Sequence, residues 1–184
     1  MASPVAHTLL GFTLFYLWPC GSRGFQIRPG VLYVLVAAAS LAPDLDFIPG
    51  LLLRDPNRFH QTFSHSLTMA FVLALGFGAV LRLRTTGSSW LKWSSLLLVL
   101  IGSHLLLDFF TEDYRPPFGF PLFWPFSETP RTSPLPIFPP SVRDFSRPDF
   151  WSQNAYVRLV ESCLLLPLWL ASWKYGKESS ANKP

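Results

Sequence analysis

The sequence predicts an all-α, polytopic membrane bundle of about five helices with a proline- and aromatic-rich loop at the interface. Three observations predict it. Hydrophobic residues make up 49% of the 184-residue chain and charged residues only 14%, against about 25% charged in ordinary soluble domains. Apolar segments recur along the chain with Lys and Arg at their ends, where membrane topology places them. The 17 Phe and seven Trp flank many of these segments, as interfacial anchors do. The mean hydropathy of +0.30 is modest because one long polar stretch dilutes it.

The first segment is Pro4 to Trp18, with Ser3 as its cap and Pro4 suited to the first helical position. A signal peptide is not expected, because a basic leader and an A-x-A-like cleavage site are missing. After a Gly-rich loop, the second segment runs from Val31 to Leu41 and ends at Pro43. Both are shorter than the roughly 20 residues of a full span, so partial spans sheltered by neighbours are expected. The third segment covers Thr62 to Leu81 and the fourth Trp90 to Phe110, each near span length. Residues 112–155 hold ten of the 18 prolines and many aromatics. Proline blocks helix interiors, so this stretch reads as an ordered interfacial cap. The fifth segment is Tyr156 to Trp173, where Arg158 and Glu161 are spaced to pair on one face. Residues 1–175 thus read as one membrane-embedded domain, and 176–184 as a flexible polar tail. Cys20 and Cys163 lack CxxC spacing and read as free thiols.

If all five segments cross, the N-terminus, the PDLD turn and the proline-rich loop share one side. His7, Asp44, Asp46, His60, His65, His104 and Asp108 all fall on that side, and they include every histidine of the chain. His104 and Asp108 are spaced i, i+4, so both reach one face of an apolar helix. Ionisable groups there are costly and point to function. Asp44 and Asp46, one residue apart, repel unless a cation lies near. His60 and His65 bracket the start of the third segment, one before the helix and one on its first turn. Imidazole and carboxylate are ligands for zinc and similar divalent ions. A metal site is the reading, with Asp44 or Asp46 also suited to accept a proton. Arg58 and Arg115, on the same side, suit an anionic substrate group.

The opposite side carries Arg23, Arg28, Arg82, Arg84, Lys92, Lys174, Lys177 and Lys183. The positive-inside rule makes that side cytoplasmic and turns the site toward the non-cytoplasmic face. The basic residues do not cluster on a helix face, so no nucleic-acid partner is implied.

The motifs AHTLLG, PDLD, HQTFSHSL and HLLLDFFT followed by PLFWPFS resemble the YdjM-like predicted membrane-bound metal-dependent hydrolases over about Ala6 to Ser127. In that pattern Gln61-Thr62 stands where Arg-Gly is usual, and Ala6 where Thr is usual. The seven ligand positions are intact. The resemblance implies an integral-membrane enzyme, of the cytoplasmic membrane if bacterial, and, through motif logic similar to the zinc phospholipase C and P1 nuclease group, hydrolysis of a phosphoester. A phospholipid headgroup is then a natural substrate, with one or more zinc ions as cofactor. Two alternatives remain open. One is a metal-stabilised, non-catalytic membrane protein. The other is an ion or proton pathway, which needs ionisable residues continuing toward the far side; segments two to four show none.

Overall fold

The structure is a computed structural model that describes residues 1–19, 25, 27–55, 58–85, 89–114 and 118–181. It has six α-helices and no strands among these residues: α1 Pro4–Leu17, α2 Pro29–Ser40, α3 Phe47–Leu52, α4 Leu67–Arg84, α5 Trp90–Phe109 and α6 Phe150–Ala181. Five correspond to the predicted segments. The additional one, α3, is a short helix that follows α2 across a 66° bend. Between them Ala42–Asp46, the PDLD turn, forms a 3-10 helix. Pro43 lacks the N–H that a continuing α-helix needs at that place.

Helices α4, α5 and α6 are long and apolar enough to cross a membrane, and α2 with α3 makes a broken span of comparable composition. The chain is a membrane protein. Its centre is α5: 56% of its apolar window is buried within the protein, against 17% for α4 and 22% for α6. Trp93, Leu96, Leu100 and Ile101 of α5 meet Phe15 of α1, Leu32 and Val36 of α2, and Ala70 and Ala74 of α4. Lipid tails are as apolar as these side chains, so packing and close backbone approach hold the bundle rather than exclusion from water. Gly78 supplies such an approach in the α4–α5 hairpin, where an added Cβ would stand 2.2 Å from Ser94 Oγ and 2.9 Å from its backbone nitrogen. Gly11 supplies another, with its absent Cβ only 1.9 Å from Ser40 Oγ at the end of α2.

Several boundaries differ from expectation. Helix α4 begins at Leu67 rather than Thr62, because Ser66 caps it by accepting from Met69 N at 3.2 Å. His65 therefore lies in a separate 3-10 turn, Phe63–His65, and both histidines of the motif precede the helix. Helix α6 starts at Phe150 and continues to Ala181, so most of the stretch expected as a flexible tail is helical. Arg158 and Glu161 do not pair. Glu161 instead accepts from Ser3 N at 2.8 Å and from Ser3 Oγ, tying the start of α1 to α6. Farther along, Gly176 lies against Tyr16, so α1 and α6 run parallel.

The proline-rich stretch folds over the Asp108 end of α5. Phe120 and Arg131 exchange backbone hydrogen bonds of 3.2 and 2.9 Å, Ser133 N donates to Phe109 O at 2.8 Å, and Leu67 N donates to Leu122 O at 2.9 Å. Gly119 turns this cap at φ +91, where a side chain would strike Arg131 O. Phe120 and Phe138 are buried beneath it. Cys163 is a free thiol; Cys20 lies outside the described residues.

Candidate metal centre

Four elements converge under the cap. Helix α1 brings His7, the 3-10 turn after α2 brings Asp44 and Asp46, the turn before α4 brings His65, and the last two turns of α5 bring His104 and Asp108. His7, His65 and His104 are fully buried, His60 and Asp108 nearly so. The Asp44 side chain keeps 15% exposure. The predicted i, i+4 pair on α5 does share one face: His104 Nε2 is 3.4 Å from Asp108 Oδ2.

Four atoms converge at the centre of the site. His104 Nε2 lies 3.4 Å from Asp44 Oδ1, and His65 Nε2 lies 3.6 Å from both Asp44 Oδ1 and Asp108 Oδ2. The two Nε2 atoms are 3.3 Å apart. Bonds of 2.0–2.1 Å to one tetrahedral ion would place its donors about 3.3 Å from each other. The five separations fall at or just above that spacing.

Hydrogen bonding on the far sides of the rings fixes what points inward. His104 Nδ1 donates to Ser40 O at 2.8 Å, and a carbonyl can only accept. His65 Nδ1 faces Asp46 Oδ2 at 3.2 Å, an ionised acceptor. Both Nδ1 atoms thus carry a proton, and each ring turns its Nε2 toward the other, the atom left to ligate when the ring is neutral. Asp44 Oδ1 and Asp108 Oδ2 are buried without a hydrogen-bond partner. Unsatisfied acceptors of this kind cost roughly 1–3 kcal/mol each, more when charged. One cation held between these four atoms would offset both carboxylates and take both Nε2 atoms as ligands. The residues present fit a divalent ion.

Asp46 occupies a different position from its neighbour. Besides His65 it accepts from His60 Nδ1 at 2.7 Å, from Gln61 N at 3.2 Å and from Ser64 Oγ. Its oxygens are taken, and it orients the two histidines as a carboxylate behind a ligand does. Gln61 reaches it from a left-handed backbone, φ 58, uncommon for a non-glycine residue. We expect Asp46→Ala to weaken metal binding about 10–100-fold without abolishing it, by metal titration of the purified protein; unchanged affinity would refute this orienting role.

His60 stands at the rim. Its ring stacks on Phe47 at 3.8 Å, and Nε2 lies 2.9 Å from Met1 Sδ. Burial pushes its imidazole down to about 4, against the pull of Asp46, so it is neutral at pH 7. It still groups with Asp44 and His65, donor atoms within 4.8 Å of one another. His7 stacks on His104 with ring centroids 3.7 Å apart. Its Nε2 is 3.5 Å from Asp108 Oδ1, and neither of its nitrogens has a hydrogen-bond partner. It forms a further group with Asp44 and His104. The seven predicted residues are thus together: four around one point, His7 and His60 beside it, and Asp46 behind His65.

Three residues were not anticipated. Ser40 holds His104 through its carbonyl, Ala2 N donates to Asp108 Oδ1 at 2.9 Å, and Glu161 holds Ser3. Backbone partners of this kind carry no residue-type signal; Glu161, an acid within an apolar helix, did. Gly11 also matters here through Ser40. Gly11→Leu should displace Ser40 and lower both yield and metal content, measured against Gly30→Leu, where nothing lies within 4 Å of an added Cβ. Arg58 is exposed and lies over the Phe59 ring at 5.6 Å. Arg115 falls outside the described residues.

A family model described as YdjM inner membrane protein matches residues 1–178, nearly the whole chain, and the chain belongs to that family. No curated protein and no solved structure matches it.

Proposed function

We propose that this member of the YdjM inner membrane protein family is a membrane-bound, metal-dependent hydrolase acting on a phosphoester. One observation carries the reading: Asp44 Oδ1, His65 Nε2, His104 Nε2 and Asp108 Oδ2 converge, neighbouring atoms 3.3–3.6 Å apart, with each Nδ1 turned outward. A divalent ion such as zinc, when bound, supplies Lewis acidity for a phosphoryl oxygen and acidifies water toward a pKa of about 7. His65, His104 and Asp108 form a buried group with donor atoms within 4.8 Å of one another, and three protein ligands are what catalytic zinc sites use. Asp44 is the least buried of the four. As the most accessible carboxylate of the set, it would serve as proton acceptor for an attacking water. Asp108 is held for its role by Ala2 N–H, and His104 by the Ser40 carbonyl. His7, grouped with Asp44 and His104, and His60, grouped with Asp44 and His65, each offer a further ligand beside this set.

The phosphoester rests on similarity in ligand logic to the zinc phospholipase C and P1 nuclease group. The test is hydrolysis of bis(p-nitrophenyl) phosphate by protein reconstituted with zinc or manganese. Turnover should vanish on chelation, return with metal, and be absent in His104→Ala. Protein that holds its metal and turns over no phosphoester would defeat the hydrolase reading.

A second reading has its own support. With Asp44 as fourth ligand the shell is closed, as in structural sites; the ion would then only brace the turn after α2, the turn before α4 and the end of α5.

The positive-inside rule turns the site away from the cytoplasm. In protein whose native cysteines are replaced, Thr129→Cys should react with an impermeant maleimide applied outside intact cells and Glu178→Cys should not. The reverse pattern would invert the orientation.

A further inference from the structure

We propose that the cavity beside Asp44 seats an anionic phospholipid, its headgroup held by Arg143 and Arg158. The proposal deepens the phosphoester reading of the metal centre and rests on it. The cavity has a volume of about 860 Å³ and lies between the start of α1, the end of α3, residues 141–146 and the first turns of α6. Ligand sites commonly span about 300–1,000 Å³.

Among the candidate ligands, Asp44 is the one that lines this cavity, and it is also the least buried of the four converging donors. The space and the metal centre therefore meet at the residue placed to handle the proton. Two guanidinium groups line the same space. Arg158 is exposed and makes no ion pair among the described residues; Glu161, three residues on, is committed to Ser3. Arg143 lies across the Phe47 ring with Nη2 2.7 Å from Met1 Sδ. Asp144, the other acid of the lining, accepts from Ser146 N and Oγ. Guanidinium donors match phosphate geometry.

The rest of the wall is apolar: Phe47, Leu51, Phe145 and Phe150. Leu51 and Phe145 are 61% and 80% exposed, and Leu52 and Leu53 continue the apolar edge of α3. A soluble phosphoester has no use for such a wall, whereas acyl chains do. Positive charge within an apolar mouth, on a membrane protein, selects an anionic amphiphile. Arg58, one of the two arginines favoured by sequence position, is not among the residues that line this cavity.

The test uses full-length protein with its metal in a phosphate-free maltoside detergent. Binding of a fluorescent-chain phosphatidylglycerol is followed by anisotropy, and metal content is measured on the same samples. Arg143→Gln and Arg158→Gln should each weaken binding about tenfold, the loss of one hydrogen bond to a charged group, with metal content unchanged. Glycerol 1-phosphate, which lacks chains, should compete at least about tenfold less well than dihexanoylphosphatidylglycerol, because it buries no apolar surface. Unchanged affinity in both arginine variants, or equal competition by glycerol 1-phosphate, would overturn the proposal. His104→Ala separates the two ideas: arginine-dependent lipid binding by this protein supports the cavity assignment whether or not the wild type proves to be a hydrolase.

Discussion

His104→Ala should empty the centre: metal measured in the purified protein falls from about one equivalent to background, since tetrahedral sites depend on each of their ligands. The alanine removes one of the four inward donors and also frees the Ser40 carbonyl that His104 Nδ1 occupies. It leaves Asp44 Oδ1 and Asp108 Oδ2 buried without the cation that balances them. Leaving such charges uncompensated costs roughly 3–5 kcal/mol. A drop of about 10 °C in thermal midpoint should follow. Chelation of the wild type should reproduce the drop, and chelation of His104→Ala should add nothing to it. Acid acts in the same direction. Protons compete for the imidazoles and carboxylates, so the ion is retained near neutrality and released as pH falls. Equal metal content in wild type and variant would remove the site altogether.

Asp44→Asn has the second large effect, and it divides catalyst from brace. Asparagine keeps the shape of the side chain but cannot take up a proton. If Asp44 is the proton acceptor, the variant retains its metal on His65, His104 and Asp108 while phosphoester turnover falls at least about 100-fold. If Asp44 closes a structural shell, the variant loses metal affinity and thermal stability together, and the wild type shows no turnover to lose. Metal content and turnover measured on the same preparation decide between these outcomes.

The membrane character and most helices were legible because they are written in long apolar runs. The i, i+4 spacing of His104 and Asp108 was legible for the same reason, since helix geometry alone puts both on one face. Other features depended on contacts between distant segments. The short helix α3 carries too few residues for a periodic signal, and the start of α4 was set by the Ser66 hydroxyl rather than by hydropathy. Asp44 and Asp46 are separated by one residue and chemically identical, yet one faces the centre and the other faces the back of His65. Nothing local to PDLD distinguishes them; the HQTFSH turn does, by presenting Gln61 N, Ser64 Oγ and two imidazoles to Asp46. Glu161 was assigned to Arg158 by helical spacing, whereas its actual partner, Ser3, lies 158 residues away in the chain.

Helix α6 has 32 residues and α2 only 12, or about 48 Å against 18 Å at 1.5 Å per residue. A bilayer with a hydrocarbon core about 30 Å thick cannot match both. A span shorter than the hydrocarbon core thins the bilayer beside it or recruits flanking residues, at a cost of fractions of a kcal/mol per Å, and α2, with Val31 and Val34 exposed, reaches the membrane interior only together with α3 across the PDLD turn. The turn that carries Asp44 is thereby the break within a span, which makes acyl-chain length of the surrounding bilayer a variable to which this protein should respond.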